Sequence, residues 1–249
     1  MLRTLFLVLV LAIMIATNAS AADLQVIAGG GIAGPLKLLA PEFEKATGHK
    51  LTIRFAATPE LIKMATSGDP LDVAVVPREV FLDANAKTRF VLEASADIAR
   101  VGFGVGIRAG APNKPDIATP DSFKQALLDA KSIATLPASA AGAQVLKTFE
   151  RLGIGEAMKA KIKAQASPGD IPQALIAGDA ELGVFLLNVL SVPGVDIVGP
   201  FPPDLQQEFV FRSAIATGTG NALAAKAFID FLRSPAAQAI IESQGMTPG

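Results

Sequence analysis

The chain has 249 residues, 51% of them hydrophobic, and a formal net charge of −1 from 22 basic and 23 acidic side chains. It contains no Cys, Trp or Tyr and a single His, which excludes disulfide frameworks, cysteine nucleophiles, Cys-containing zinc sites and multi-His metal centres. The charge balance lacks the basic excess that nucleic-acid binding requires, so no metal, cofactor or nucleic acid is expected.

The N-terminus reads as an address. Leu5 to Ala16 carries no charge, and Ala19-Ser20-Ala21 has the small-residue pattern of a signal-peptidase site. The apolar run is shorter than the roughly 20 residues a membrane span needs. Residues 1–21 are therefore expected to be a cleaved secretory signal that sends the chain to the periplasm. The alternative is an uncleaved anchor; a lipoprotein is excluded because there is no Cys to acylate.

The remaining chain alternates apolar runs with amphipathic segments. Leu24 to Ala28 predicts a strand, followed by a glycine cluster and a helix ending at Gly48. Pro41 is expected to kink that helix. Leu51 to Phe55 predicts a second strand, Pro59 to Ser67 a helix, and Asp72 to Val76 a third strand covered on both faces. This β-α-β-α-β order predicts a doubly wound α/β unit.

Val101 to Ile107, with Gly at every second position, suits a strand crossing to another lobe. A second α/β set follows: helices over residues 121–130, 141–152 and 171–177, and strands over 132–136, 182–187 and 195–198. Phe209 to Ala216 predicts a strand returning to the first lobe. Two helices close the chain, the last capped by Ser234 ahead of Pro235. The expected fold class is α/β: two doubly wound lobes joined by two crossover strands. The first lobe takes 22–101 and 211–249, and the second 102–210. A cleft between such lobes, lined by strand C-termini and helix N-termini, is where a small ligand binds.

Gly29, Gly31 and Gly34 spell G-x-G-x-x-G between a strand and a helix. A dinucleotide reading is weakened because the second strand ends in Phe55-Ala56-Ala57-Thr58, with no carboxylate for a ribose. Two alternatives stand: backbone N–H groups of Gly30 and Gly31 serve an anion, or the glycines make only a tight turn. Thr58 is expected to cap the second helix or to offer its hydroxyl to a ligand. Asp170 is expected to cap another helix, and Ala140-Ala141-Gly142 to open one. Four helix N-termini, two per lobe, would then face one cleft. Arg78 and Arg212 are candidates for a cleft-edge cation or for plain surface positions. His49 is expected in an exposed turn, which leaves no Ser-His-Asp triad.

Leu39 to Gly48, the Gly68-Asp69-Pro70-Leu71-Asp72-Val73 turn, Ala224 to Leu232 and Ser234 to Gln238 together resemble the periplasmic molybdate-binding proteins, type II solute-binding proteins of ABC importers. The resemblance covers Ala22 to Gly249. It implies hinge closure over an oxyanion held by hydroxyls and backbone N–H groups, and delivery by a monomer to an inner-membrane ABC permease. Carried over by position, the family's hydroxyl donors fall on Gly31, Thr58 and Leu186, and its second-lobe backbone donors on Ala141 and Ile171. Only Thr58 retains a hydroxyl. Each lost bond to a charged ligand costs about 1.5–3 kcal/mol, so a small carboxylate met by Arg78 or Arg212 competes with molybdate as the ligand. A non-catalytic binding protein is the first expectation. An exported isomerase or lyase of small organic acids is the second, with Glu60, Glu79 or Asp170 as base. A sensor or interaction module is the third.

Overall fold

A computed structural model describes residues 21–249, so all but the last residue of the expected signal segment lies outside the described residues. In chain order the first elements are β1 (Asp23–Gly29), α1 (Ala33–Thr47), β2 (Lys50–Ala56), α2 (Thr58–Thr66), β3 (Val73–Pro77) and β4 (Phe90–Arg108). Next come α3 (Pro120–Asp129), β5 (Ile133–Thr135), α4 (Ala140–Arg151), α5 (Gly155–Lys159), β6 (Ile162–Ala164), α6 (Asp170–Ala177) and β7 (Leu182–Leu186). The chain ends with α7 (Leu187–Leu190), β8 (Val195–Pro200), β9 (Glu208–Ala216), α8 (Ala222–Leu232), α9 (Pro235–Ser243) and β10 (Thr247–Pro248).

Strand β3 shows why the first lobe folds as it does. All five of its residues are buried. Val73 and Val75 face one core with Val26 and Ala28, while Ala74 and Val76 face another with Ile27, Leu61 and Phe81. A strand apolar on both faces belongs inside a sheet with helices on either side. Strands β2, β1 and β3 are parallel, and β9 joins antiparallel to β3. Helix α1 buries Leu36, Leu39 and Phe43 at three- and four-residue spacing, and continues through Pro41. The Phe43 ring lies 5.0 Å from Phe228 and 5.5 Å from Phe231 of α8.

The second lobe has β7 and β5 parallel, and β5 and β6 parallel. One strand serves both lobes. β4 pairs with β9 from Phe90 to Gly102, and with β7 from Phe103 to Gly106. The first half of β4 and the short β6 and β10 are absent from the sequence reading. Ala, Ser, Glu and Asp between residues 93 and 97 have low strand propensity; the β9 ladder skips residues 92–95 and resumes at Ala96 and Asp97, opposite Ser213 and Arg212.

His49 departs from its expected place. It is 9% exposed, accepts a hydrogen bond from the Ala22 N–H at Nδ1 (3.0 Å) and stacks on Phe43. Gly48, in the left-handed conformation at the end of α1, turns the chain there, and the ring is held by the Ala22 N–H and Phe43.

Candidate functional site

The two lobes meet along the starts of their helices. Gly29 to Gly31 lead from β1 through a 3-10 turn into α1, and Ala56 to Thr58 lead into α2. From the second lobe come Leu136, Ser139 and Ala141 at the start of α4, Pro168 ahead of α6, and Phe185 and Leu186 at the end of β7. Pro77, Phe209 and Phe211 complete the lining. None of these lining residues is charged. They enclose about 20 Å³, room for one water-sized body. A groove of about 650 Å³ lined by Gly30, Gly31, Pro168 and Asn188 opens beside this cavity. A larger groove, about 710 Å³, opens elsewhere on the second lobe beside Arg108, Asp129, Lys131 and Glu181, but no helix start lines it.

Thr58 is the first residue of α2, with Ala57 in the capping position. Its hydroxyl oxygen is thereby free of its own helix and accepts a hydrogen bond from the Ala140 N–H of the opposite lobe at 3.0 Å. The first N–H groups of a helix have no intrahelical partner. In α4 those of Ala140 and Gly142 are taken by Thr58 Oγ1 and by Ser139 Oγ (2.9 Å), and the Ala141 N–H lies between them. Gly142 permits this tight entry, because a Cβ there would sit 1.8 Å from the Leu136 carbonyl oxygen.

The glycine loop is shaped by close neighbours. A Cβ on Gly31 would lie 2.9 Å from Phe211 Cζ and 3.0 Å from Leu186 Cδ1. One on Gly30 would lie 3.0 Å from Pro168 of the other lobe. The phenyl ring of Phe211 thus stands where a serine side chain at residue 31 would project. Two side-chain bridges also join the lobes: Asn188 Nδ2 donates to the Gly31 carbonyl at 2.8 Å, and Gln144 Nε2 to Glu79 Oε1 at 3.2 Å.

Gly30, Gly31, Thr58, Ala141 and Leu186 are brought together as the lining. Arg78 and Ile171 are not among the lining residues. The Arg78 side chain is 55% exposed and 3.8 Å from its neighbour Glu79. Ile171 is fully buried, and its N–H donates to the Pro168 carbonyl at 3.3 Å, so Pro168 takes its place at the cavity. Arg212 is paired with Asp97 at 2.6 Å on the β4–β9 ladder. Asp170 is the first residue of α6, with Gly169 at the cap, and its carboxylate accepts from the Ser167 N–H. Phe211, Phe209, Phe185, Pro168 and Ser139 escaped the sequence reading. The Ser139 signal was available, as a Ser one residue before a helix start; the phenylalanines read only as core.

The family described as bacterial extracellular solute-binding proteins matches residues 24–247. The chain belongs to this family. Among curated relatives of this solute-binding protein, an aconitate isomerase from Pseudomonas sp is 34% identical over 233 residues, 90% of this chain and 87% of that protein. The molybdate-binding protein ModA of Azotobacter vinelandii is 29% identical over 240 residues, 93% of this chain and 92% of that protein. The solved structure of the Azotobacter vinelandii periplasmic molybdate-binding protein superposes with a TM-score of 0.75 at 22% identity, over 91% of this chain and 99% of that one. The two-lobed α/β architecture of this solute-binding protein is accordingly that of the type II periplasmic binding proteins.

Proposed function

We propose that this solute-binding protein captures a small organic anion, a carboxylate with a hydrocarbon body, and acts as an exported monomer that hands it to an inner-membrane permease. One observation carries the reading. The lining sets uncharged helix-start donors around Thr58 and Ala141 against apolar walls from Leu136, Phe185, Leu186, Phe209 and Phe211. Helix N-termini favour an anion without needing a cationic side chain, and the phenyl walls favour carbon over a fully oxygenated ion. Molybdate is the poorer fit, since Gly31 and Leu186 offer it no hydroxyl.

A thermal-shift screen tests this. A ligand at about 100 times its Kd adds about 2.7 kcal/mol, worth about 5–10 °C for a chain of this length. Di- or tricarboxylates are expected to give that shift, and molybdate, tungstate, sulfate and phosphate are not. A molybdate shift of that size, with none from carboxylates, overturns the reading.

A second reading, an isomerase of a small unsaturated polycarboxylate, is favoured by the 34% identity to a protein named aconitate isomerase. Against it, none of Glu60, Glu79 and Asp170 lines the cavity, and a general base must reach the proton it removes. Incubation with cis- and trans-aconitate followed by proton NMR decides it: interconversion above a buffer control identifies an enzyme.

A further inference from the structure

Among the described residues, five buried side-chain polar atoms lack a hydrogen-bond partner: Glu79 Oε2, Arg100 Nε, Thr135 Oγ1, Gln144 Oε1 and Asn188 Oδ1. Three of the five belong to the two side-chain bridges between the lobes. Each bridge is half made. Gln144 Nε2 donates to Glu79 Oε1, yet the other oxygens of both groups accept nothing from the protein. Asn188 Nδ2 donates to the Gly31 carbonyl, and its own oxygen accepts nothing. Arg78 is the charged group next to this bridge, with Nε 3.8 Å from Glu79 Oε1 and its side chain largely in solvent.

We propose that the Glu79–Gln144 and Asn188–Gly31 bridges act as a release spring. They set the register in which the lobes meet, but they shield three acceptor oxygens that receive no donor from the protein, and parting the lobes exposes such oxygens to water. The contact that aligns closure therefore also disfavours closure by the protein alone, and the ligand supplies the difference. The sharpest element is the acid–amide pair. Glutamate offers Gln144 only acceptors. Glutamine in its place has an amide N–H for Gln144 Oε1, so the two amides complete a reciprocal pair.

The proposal concerns the protein without ligand, so its test does not depend on which anion binds. The chain has no Cys, so Lys63→Cys on α2 and Lys147→Cys on α4 take two spin labels and no others. Dipolar distance measurements on the unliganded protein then read the lobe separation. Glu79→Gln is expected to raise the short-distance, closed population at least threefold over the labelled parent. Gln144→Glu, which sets two carboxylates against each other, is expected to move the population to the longer distance. An unchanged distribution in Glu79→Gln, or a shift towards the longer distance, overturns the proposal, since the carboxylate would then be neutral or a clasp. Both variants are nearly isosteric, and a thermal melt of each confirms folding before the distances are compared.

Discussion

The Thr58 hydroxyl oxygen and the Ala140 N–H, 82 residues apart in sequence, share a hydrogen bond of 3.0 Å that joins two helix starts from opposite lobes. Thr58→Val keeps the shape and removes the oxygen. Loss of a hydroxyl bonded to a charged ligand costs about 1.5–3 kcal/mol, so ligand affinity is expected to fall about 10- to 100-fold. Isothermal titration with the strongest ligand from the thermal screen measures it. An unchanged affinity would place Thr58 outside the binding contacts.

Gly31→Ser is expected to destabilise the fold by about 1–3 kcal/mol through overpacking against Phe211 and Leu186. Shortening the ring with Phe211→Leu should relieve part of that loss. Residues in contact show coupling of about 0.5 kcal/mol or more in a double-mutant cycle, and urea unfolding of the four proteins gives the value. Additive losses would mean that the loop moves instead of the ring.

Asp72 is the polar pin of the first lobe. Only 6% exposed, it accepts from the Gln25 N–H at 2.7 Å, from Asn221 Nδ2 at 3.2 Å and from the Thr219 hydroxyl. It thereby ties β1, β3 and the loop after β9 together. Asp72→Ala strands these donors and is expected to cost about 3 kcal/mol or more, with ligand affinity per folded molecule unchanged. Chemical denaturation and titration separate the two effects.

Glu44 gives a pH signature. Its carboxylate accepts the Leu51 N–H at 2.9 Å and pairs with Lys50 at 3.0 Å. The Leu51 bond chiefly, and Lys50 next, hold its pKa below the usual glutamate value. A pKa lowered on folding contributes stability above the unfolded value, about pH 4.3, and that contribution is lost as pH falls through the folded value. The gap in Tm between the parent and Glu44→Gln is therefore expected to be constant near neutrality and to close below about pH 4. A gap that persists there would assign the effect to packing.

Much of the fold was legible because its signals are local. The buried run of β3, the spacing of Leu36, Leu39 and Phe43, and the Ser234-Pro235 start of α9 each carry their own physical reason. The first half of β4 was not legible, because the residues on either side of its polar stretch are held by β9, over a hundred residues away. At the site, the cavity lining includes Gly31, Thr58, Ala141 and Leu186, positions named by the resemblance, and Gly30 of the glycine loop. Arg78 did not follow, because the 3-10 turn after β3 leaves its side chain in solvent. Phe211 was hidden for another reason: a phenylalanine in a strand looks the same in sequence whether it faces a core or a ligand.

Phe211 lies opposite Pro77 of β3 and opposite Ala99 of β4. The ring that walls the cavity is thus carried on a strand bonded to the strand both lobes share. A bulkier ligand in this cavity would press on that ring and, through it, on the crossing strand itself. Such a wall would work as a gauge: the angle at which the lobes come to rest would record the girth of what they hold, and a permease that senses the angle would sort cargo before receiving it.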